Sequence, residues 1–440
     1  FGKITNDTYL WGTVGVGTPF SKSNTRAFDY SFGFEGTGAL GRKEHRIFID
    51  QIYGRVHWQN LILDLGIIKP EIVYDGLSST NGDMLYSTNS RSMPGINLHT
   101  QDFIKIPWIG KWLSFKFKYA EYIMSDNRYV DSPHLHNKLL AGKLTIIHGL
   151  SIEAGIEDYA QWGGKDPDNG KLKYSFKDYL DMVKIKSGGE NATLSDQINK
   201  LGNHIGRHFA QINYECPKFK TTLFYNHIFE DGSGMKYQNW PDGLYGLYFS
   251  RKENSRWFKS FVYEFYYTKN QSGPLHDRPA TPEELAKQDT TSDFYGRIVL
   301  GGNDNYLNHG EYRSGWTLFG QTIGTPFFTP QSPVAGIVHG IYNNRFYAHH
   351  IGISGDLPLL NIQYKFFCSY SKNYGTYNTP FYNSEGHITS KSQTSLRLKV
   401  VVPNDKLPFD TTLDFGYDKG SLLKNNFGIM LSISKTGIFF

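Results

Sequence analysis

Residues 427–440 read Phe-Gly-Ile-Met-Leu-Ser-Ile-Ser-Lys-Thr-Gly-Ile-Phe-Phe. Large apolar residues alternate here with small or polar ones, at Phe427, Ile429, Leu431 and Ile433. A strand with one apolar face that finishes on an aromatic residue, here Phe439-Phe440, is typical of the last strand of an outer-membrane β-barrel. In lipid, only helices and closed barrels satisfy every backbone N–H and C=O group. This stretch therefore predicts a barrel.

The same alternation recurs along the chain, as a barrel requires. It is found in 28–35, 113–120, 360–370, 396–401 and 413–417. We expect the apolar set of each segment to face lipid and the other set to face the lumen.

Composition supports a membrane barrel. The chain has 440 residues, but its mean hydropathy is −0.46 and its hydrophobic fraction 39%. No apolar run approaches the roughly 18–20 residues of a transmembrane helix. Aromatic residues make up 16%, which suits the girdles of a barrel. The net charge of +5 comes without the basic stripe that nucleic acid requires.

Short and long connections largely alternate, as periplasmic turns and extracellular loops do. Short ones are predicted at 59–60, 148–150, 215–218, 355–358 and 403–408, and long ones at 67–94, 122–140, 163–207, 269–292, 320–344 and 371–392. If the last strand ends in the periplasm, counting backward gives an antiparallel barrel of about 18 strands from Ala27 onward. Residues 27–440 then form the barrel with long extracellular loops. Residues 1–26 form a periplasmic segment or plug, although 9–17 look strand-like.

Parts of the loops look helical, at 175–184, 195–208 and 281–285, with Ser175 a predicted N-cap. We expect loops and short helices to plug the lumen. No signal peptide is visible, and because a barrel must be exported we expect a mature chain whose leader has been removed. Cys216 and Cys368 are expected to be small buried or lipid-facing residues, and a disulfide between them stays open.

Metal and catalytic sites have weak support. His204 and His208 have the spacing of zinc ligands on a helix but lack a third ligand. Residues 166–170 are rich in calcium-like oxygen ligands but lack the downstream glutamate. There is no G-x-S-x-G motif. We therefore predict no metal, no cofactor and no catalytic residue.

Carbohydrate binding requires aromatic faces beside hydrogen-bonding side chains. Two segments offer both, Tyr159–Gly164 and the region 229–245. The predicted ligand-binding residues are Arg91, Trp162, Asp231, Trp240 and Tyr245, with Arg91 available for acidic sugars. The alternative is that the tryptophans and tyrosines are anchors at the membrane interface.

Several ordered segments resemble the capsule assembly protein Wzi family. They are Asn89–Ile96, Tyr159–Gly164, Glu230–Gly234, Gly301–Tyr306, Gly315–Gly320 with Gly324 and Pro326, and Ser371 with Asn373–Tyr377. The resemblance spans roughly residues 27–440. It implies an 18-stranded outer-membrane barrel with a blocked lumen that acts as a surface lectin and helps to attach capsular polysaccharide.

The expected function is thus a non-enzymatic barrel in the bacterial outer membrane that binds or helps to assemble surface polysaccharide. Its expected partners are outer-membrane lipid and lipopolysaccharide, the polysaccharide and other outer-membrane proteins. Two alternatives stay open. One is a structural subunit of a complex for secretion, barrel insertion or nutrient uptake, and the other is a passive porin.

Overall fold

The structure is a computed structural model. It describes residues 9–18, 20, 28–41, 45–106, 110, 112–186, 200–253, 257–273, 278–279, 281–283, 298–299, 304–402 and 408–437. The terminal pair Phe439-Phe440, most of the predicted turn 403–408 and the end of the predicted helix 281–285 lie outside the described residues.

One antiparallel sheet dominates the described chain. Its strands are β1 (Tyr9–Gly17), β2 (Phe28–Gly41), β3 (His45–Trp58), β4 (Leu61–Ile67), β5 (Pro94–Thr100, continued by Ile104–Lys105), β6 (Leu113–Ile123), β7 (His134–Ile147), β8 (Leu150–Trp162), β9 (Asn203–Glu215), β10 (Phe219–Phe229), β11 (Gly243–Arg251), β12 (Ser260–Tyr267), β13 (Phe346–Leu357), β14 (Ile362–Asn373), β15 (Lys391–Val402), β16 (Asp410–Gly420) and β17 (Asn426–Ser434). Consecutive strands in this order pair with each other, from β1 to β17. The all-β, antiparallel prediction is confirmed.

The described residues give 17 strands in this sheet, close to the predicted number of about 18 but differently distributed. The two predicted loops 269–292 and 320–344 belong to one connection between β12 and β13. Its described part contains only short pairs, namely Arg278–Pro279 with Ile298–Val299, Thr317–Leu318 with Gln321–Thr322, and Thr329–Pro330 with Ile341–Asn343. The strand-like pattern of 9–17 is confirmed by β1, which pairs with β2. The division of the chain at residue 26 stays a prediction.

The predicted alternation holds in the strands. In β17 the side chains of Phe427, Ile429, Leu431 and Ile433 are 61–62% exposed and share one face. In β12 the residues alternate between buried and half-buried, and the buried Glu264 and Tyr266 contact a loop on the inner side. The apolar row therefore faces outward, as expected for a wall in contact with lipid.

The sheet curls around the connection between β4 and β5. Within this connection, Lys69 pairs with Glu35 of β2, and the ring of Tyr74 stacks 4.8 Å from that of Phe224 in β10. Ser79 Oγ donates to Glu264 Oε2 of β12 at 2.7 Å. Because one short segment touches the inner faces of strands this far apart in the sheet, the sheet surrounds it.

A second internal segment completes the filling of the lumen. We call residues 69–91 and 304–343 together the plug. Trp316 Nε1 donates to the carbonyl of Leu85 at 2.6 Å, which joins the two segments. Apolar plug residues pack against inward side chains of the strands, and this core includes Leu77, Met84, Leu85, Tyr306, Trp316, Ile323 and Phe328 from the plug with Tyr159, Phe224, Tyr266 and Phe346 from the wall.

Connection lengths separate the two ends of the barrel. Short turns follow β3, β7, β9 and β13, at 59–60, 148–149, 216–218 and 358–361. Long connections lie at the other end, at 68–93, 124–133, 163–202, 230–242, 268–345 and 374–390. We call this second end the extracellular end, following the rule for outer-membrane barrels.

The helices among the described residues are short. They include α1 (Phe176–Val183), α2 (Gly232–Met235) and the 3₁₀ turns Tyr74–Gly76 and Pro358–Leu360. The predicted helix at 175–184 is confirmed, with Ser175 as its N-cap in a capping box with Asp178. The described part contains no helix that is long and apolar enough to cross a membrane.

Helix α1 packs against the outside of the wall. Met182 and Leu201 form a small buried cluster with Ala160 and Trp162 of β8. Beneath the helix lie polar side chains that face outward from β6 to β9, namely Glu121, His136, Lys138, Asp158 and His204. We call this set the covered polar patch. Lys138 Nζ donates to the carbonyl of Val183 at 2.6 Å, so the patch also holds the helix.

Candidate functional site

Arg91 is held between two aromatic rings. Its guanidinium carbon lies 4.3 Å from the ring centre of Phe48 in β3 and 4.1 Å from that of Phe319 in the plug. One of its nitrogens donates to the carbonyl of Ile49 at 3.4 Å. The cation–π contact with Phe48 attaches the plug to the wall, and the contact with Phe319 joins the two segments of the plug.

Trp162 is only 8% exposed, although its sequence context resembles a sugar-binding segment. Tyr174 stacks on it at 5.4 Å, and the rings of His134 and Tyr179 lie 5.1 and 5.2 Å away. Its indole N–H donates to Glu121 Oε2 at 3.4 Å. Trp162 thus packs helix α1 onto the wall.

Asp231 is the N-cap of α2. Its Oδ1 accepts from Ser233 N at 2.8 Å, Ser233 Oγ at 2.6 Å and Gly234 N at 2.9 Å. Among the described residues, nothing donates to its Oδ2. One exposed carboxylate oxygen therefore remains available to a hydroxyl donor.

Trp240 and Tyr245 lie together, with ring centres 6.2 Å apart. Trp240 is 55% exposed at the end of the 230–242 connection. Tyr245 faces outward on β11, and its hydroxyl donates to the carbonyl of Pro241 at 2.8 Å. Its ring lies 4.9 Å from that of Tyr225 in β10.

These two residues adjoin an aromatic row on the outer wall. In register across five neighbouring strands stand Tyr225, Tyr245, Phe265, His349 and Tyr370. We call this row the aromatic belt. Aromatic side chains in such a row anchor a barrel at the membrane interface, so Tyr245 has a structural role of this kind. Within the described residues, no contact joins Arg91 or Trp162 to Asp231, Trp240 or Tyr245.

Sequence reasoning missed a cluster in which three extracellular loops meet. Tyr129 from the 124–133 loop donates its hydroxyl to Asp168 Oδ2 at 2.5 Å. Arg313 Nη2 lies 3.2 Å from the same oxygen, and its guanidinium carbon lies 4.5 Å from the Tyr129 ring centre. His339 meets that ring edge-on at 6.1 Å. We call these four residues the loop cluster.

The loop cluster is open to solvent. The side chains of Arg313 and Asp168 are 50% and 58% exposed. The hydrogen bond to Asp168 raises the pKa of Tyr129, so its hydroxyl remains a donor. Of the four residues, only Asp168 lies in a segment that the sequence analysis considered as a site, namely 166–170. Tyr129, Arg313 and His339 come from other connections.

The metal predictions can be compared with the geometry. The 195–208 helix prediction is wrong over 203–208, because these residues pair with β8 as the start of β9. His204 therefore lies on a strand, with Nδ1 3.2 Å from Asp158 Oδ2. Asp166 Oδ1 accepts from the backbone N–H groups of Asp168 and Asn169, which closes a turn. The described residues contain no group of three His, Cys, Asp or Glu side chains that could hold a metal ion.

Cys216 and Cys368 are both free thiols. Cys368 lies on the outward face of β14, and Cys216 lies in the turn that follows β9.

Two carboxyl groups in loops at the extracellular end have pKa values that burial raises. Glu230 Oε1 accepts from the backbone N–H of Leu307 at 2.6 Å, which joins the 230–242 loop to the plug. Burial raises the pKa of Glu230 to about 8. Burial likewise raises the pKa of Asp242 to about 8, while both its oxygens accept from Asn270 N at 2.8 and 3.0 Å.

Comparison with known proteins finds the same family that the sequence segments resemble. The profile of the family described as capsule assembly protein Wzi matches residues 20–279. A solved structure of Wzi from Escherichia coli, described as a carbohydrate-binding β-barrel of the outer membrane involved in group 1 capsule assembly, aligns with a TM-score of 0.54 at 12% identity. The alignment covers 96% of this chain and 82% of that one.

Two structures from Pseudomonas aeruginosa are also similar. OprD aligns with a TM-score of 0.44 at 10% identity, over 97% of this chain and 89% of that one. OccD3 aligns with a TM-score of 0.45 at 9% identity, over 98% and 86%. No curated protein sequence matches the chain.

Proposed function

Because the chain belongs to the capsule assembly protein Wzi family, we propose that it is a non-enzymatic barrel that binds surface (capsular) polysaccharide with its extracellular loops. Family membership also places the chain in the bacterial outer membrane, as the sequence predicts. The E. coli member is described as carbohydrate-binding, and we extend that role to this chain.

The observation that carries the proposal is the loop cluster. It combines a half-buried aromatic ring with an exposed carboxylate and an exposed guanidinium, all from separate loops. A sugar ring presents an apolar face to an aromatic side chain and its hydroxyls to planar polar groups. The filled lumen supports the same conclusion, because it leaves the loops as the surface that a polymer can reach.

The exposed ion pair between Arg313 and Asp168 suits an acidic sugar. Exposed pairs of this kind contribute only about 0–1 kcal/mol. The guanidinium can therefore exchange Asp168 for a carboxylate of the ligand at little cost, and its planar donors match that group. We propose that Arg313 takes the role that the sequence gave to Arg91.

The five predicted residues divide into two groups in this proposal. Asp231 and Trp240 form a second contact region, in which Trp240 offers an exposed face and Asp231 a free oxygen, and Tyr245 supports Trp240 from the aromatic belt. Arg91 and Trp162 have their faces covered by rings of the chain itself. We propose that these two hold the loops that touch the ligand.

The test compares two tyrosines in different loops, the half-buried Tyr129 and the exposed Tyr382. Tyr129→Ala removes the ring of the loop cluster, whereas Tyr382→Ala removes a ring that is 57% exposed in another loop. Titration of the purified protein with the capsular polysaccharide of its host should show weaker binding by roughly fivefold or more for Tyr129→Ala, since an aromatic contact contributes on the order of 1 kcal/mol. Equal affinities for both variants and the wild type would contradict the loop cluster as the binding site.

A second candidate function is that of a structural subunit in an outer-membrane complex. Two loop tips expose apolar side chains, Val334 at 67% and Ile388 at 70%. Exposed apolar side chains of this kind are what a protein partner buries. Gentle detergent extraction from native membranes separates the two functions, because a stoichiometric partner protein supports the subunit role and a lone monomer opposes it.

A further inference from the structure

A cluster of positive charges lies on the outer wall at the extracellular end. Tyr267, Tyr347 and Lys372 stand in register across β12, β13 and β14, on the outward face. Two residues beyond this row, just past the ends of these strands, come Lys269, Arg345 and Tyr374, and Tyr374 N donates to the carbonyl of Arg345 at 2.8 Å. We call Lys269, Arg345 and Lys372 the cationic triad.

Aromatic rings hold two of these cations in place. Lys269 Nζ lies 4.1 Å from the ring centre of Tyr374, and the guanidinium carbon of Arg345 lies 3.6 Å from that of Tyr377. The hydroxyl of Tyr377 donates to the carbonyl of Lys269 at 2.8 Å. The cations are therefore positioned rather than free to swing into water.

The triad has no matching set of carboxylates in the part of the chain that the structure describes. Among the described residues, none of its three members forms an ion pair with Asp or Glu. Arg345 Nε is buried and has no hydrogen-bond partner in this part of the chain. Asp242 acts on Arg345 at longer range, but burial keeps this carboxyl largely protonated near neutral pH by raising its pKa to about 8.

The three charges also act on one another. Repulsion from Arg345 and Lys372 adds to burial in lowering the pKa of Lys269. Like charges brought together without counter-charges are a feature of anion sites, because a bound anion removes the repulsion.

We propose that the cationic triad binds the phosphate groups of lipopolysaccharide in the outer leaflet. The position on the wall favours this ligand. The triad lies on the lipid-facing side, and its two rows stand about 7 and 13 Å beyond the aromatic belt at roughly 3.3 Å per strand residue. A belt residue lies at the membrane interface, so a side chain at this height meets the headgroup phosphates of the adjacent lipid. The loop cluster faces solvent and takes no part in this inference, which stands apart from the proposed function.

The experiment uses full-length protein that has been stripped of lipid in detergent. It is titrated with lipid A, which has two phosphates, and with monophosphoryl lipid A in the same detergent. The test variant is Lys269→Gln/Arg345→Gln/Lys372→Gln. The matched control is Lys218→Gln/Lys220→Gln/Arg251→Gln, which removes three exposed cations at the opposite end of the barrel.

The wild type and the control should bind lipid A more tightly than the monophosphoryl form. The test variant should lose about a hundredfold in affinity for lipid A, since each of the three cations near an anionic lipid surface contributes on the order of a fivefold factor. A charge-retaining variant, Lys269→Arg/Arg345→Lys/Lys372→Arg, should keep most of the affinity and so separates charge from misfolding.

Three results would overturn the proposal. One is equal affinity of the wild type for the two lipids. Another is an equal loss in the test variant and the opposite-end control. The third is displacement of lipid A by alginate, a soluble acidic polysaccharide, in the wild type but not in the test variant, because the triad would then bind acidic sugar.

Discussion

Arg207, on the inner face of β9, donates to Asp83 of the plug, with Nη2 2.9 Å from Oδ2. The same Nη2 lies 2.6 Å from Glu157 Oε2 on β8, and Nε donates to that oxygen at 2.9 Å. Asn226 of β10 also accepts from this guanidinium. One buried cation thus ties three strands to the segment that fills the lumen.

Arg207→Met should open the lumen. It leaves the carboxylates of Asp83 and Glu157 buried without their ion-pair partner, which costs about 3–5 kcal/mol. Asp83→Asn is the matched control and should have a much smaller effect, because Arg207 keeps Glu157 as its partner and burial already raises the pKa of Asp83. Conductance in planar bilayers measures the outcome. A closed Arg207→Met barrel would show that this contact does not hold the plug.

A glycine on the inner wall makes room for the plug. A Cβ at Gly352 of β13 would lie 2.6 Å from the carbonyl oxygen of Leu77. Gly352→Ala should displace the 69–91 segment and destabilise the protein by about 1–3 kcal/mol. Gly142→Ala on β7, where a Cβ meets no atom within 4 Å, should be neutral. Urea unfolding in detergent compares the two variants, and equal midpoints would contradict close packing at Leu77.

Trp162→Ala should release helix α1 from the wall. The substitution removes the ring that contacts Tyr174 and Tyr179 and leaves a cavity that costs about 3–5 kcal/mol. Limited trypsin digestion should then cut faster at Lys177 and Lys184. Phe176→Ala is the control within the same helix, since that ring is 75% exposed. Unchanged digestion of Trp162→Ala would mean that other contacts hold the helix.

The attachment of the 230–242 loop should weaken at high pH. The pKa of Glu230 is about 8 in the folded protein and 4.5 when unperturbed. Between these values the folded state holds a proton that the unfolded state has lost, so stability falls as pH rises from about 4.5 to about 8. Asp242, with a pKa raised to about 8, acts in the same direction.

Hydrogen exchange of the 230–242 loop between pH 6 and 9, corrected for the intrinsic rate, measures this effect. Glu230→Gln mimics the protonated side chain, and Glu230→Gln/Asp242→Asn should lose most of the pH dependence. Glu385→Gln, in another loop with a side chain 74% exposed, should keep it. Retention of the full pH dependence in the double variant would count against buried carboxyls as its cause.

Patterns that repeat every two residues made the wall predictable. The apolar set of β17 and the polar residues between them lie on the faces that the alternation indicates, since strand geometry alone fixes the side of each residue. Local chemistry also identified α1, where Ser175 and Asp178 form a capping box.

Long-range packing explains the errors. Leu201 and Ile205 have helical spacing, yet residues 203–208 pair with β8, because a strand gains hydrogen bonds and contacts from both neighbours. Trp316 lies between the predicted loops 269–292 and 320–344 and Phe328 lies in the second of them, yet both enter the core of the plug. The loop cluster could not be predicted, because Tyr129, Asp168 and Arg313 come from three connections whose meeting depends on the whole fold.

The covered polar patch has a consequence for how the protein sits in its membrane. Charged side chains such as Lys138 and Asp158 do not tolerate contact with hydrocarbon, whereas Leu140, the next outward residue on β7, is apolar and 59% exposed. The hydrocarbon boundary on this side thus falls between residues 140 and 138. Beyond this boundary, β6 to β9 extend above the lipid, and α1 covers their outer face. The wall of the barrel therefore extends further above the membrane on the side of β6 to β9, which supplies Asp168, than on the side where the cationic triad lies.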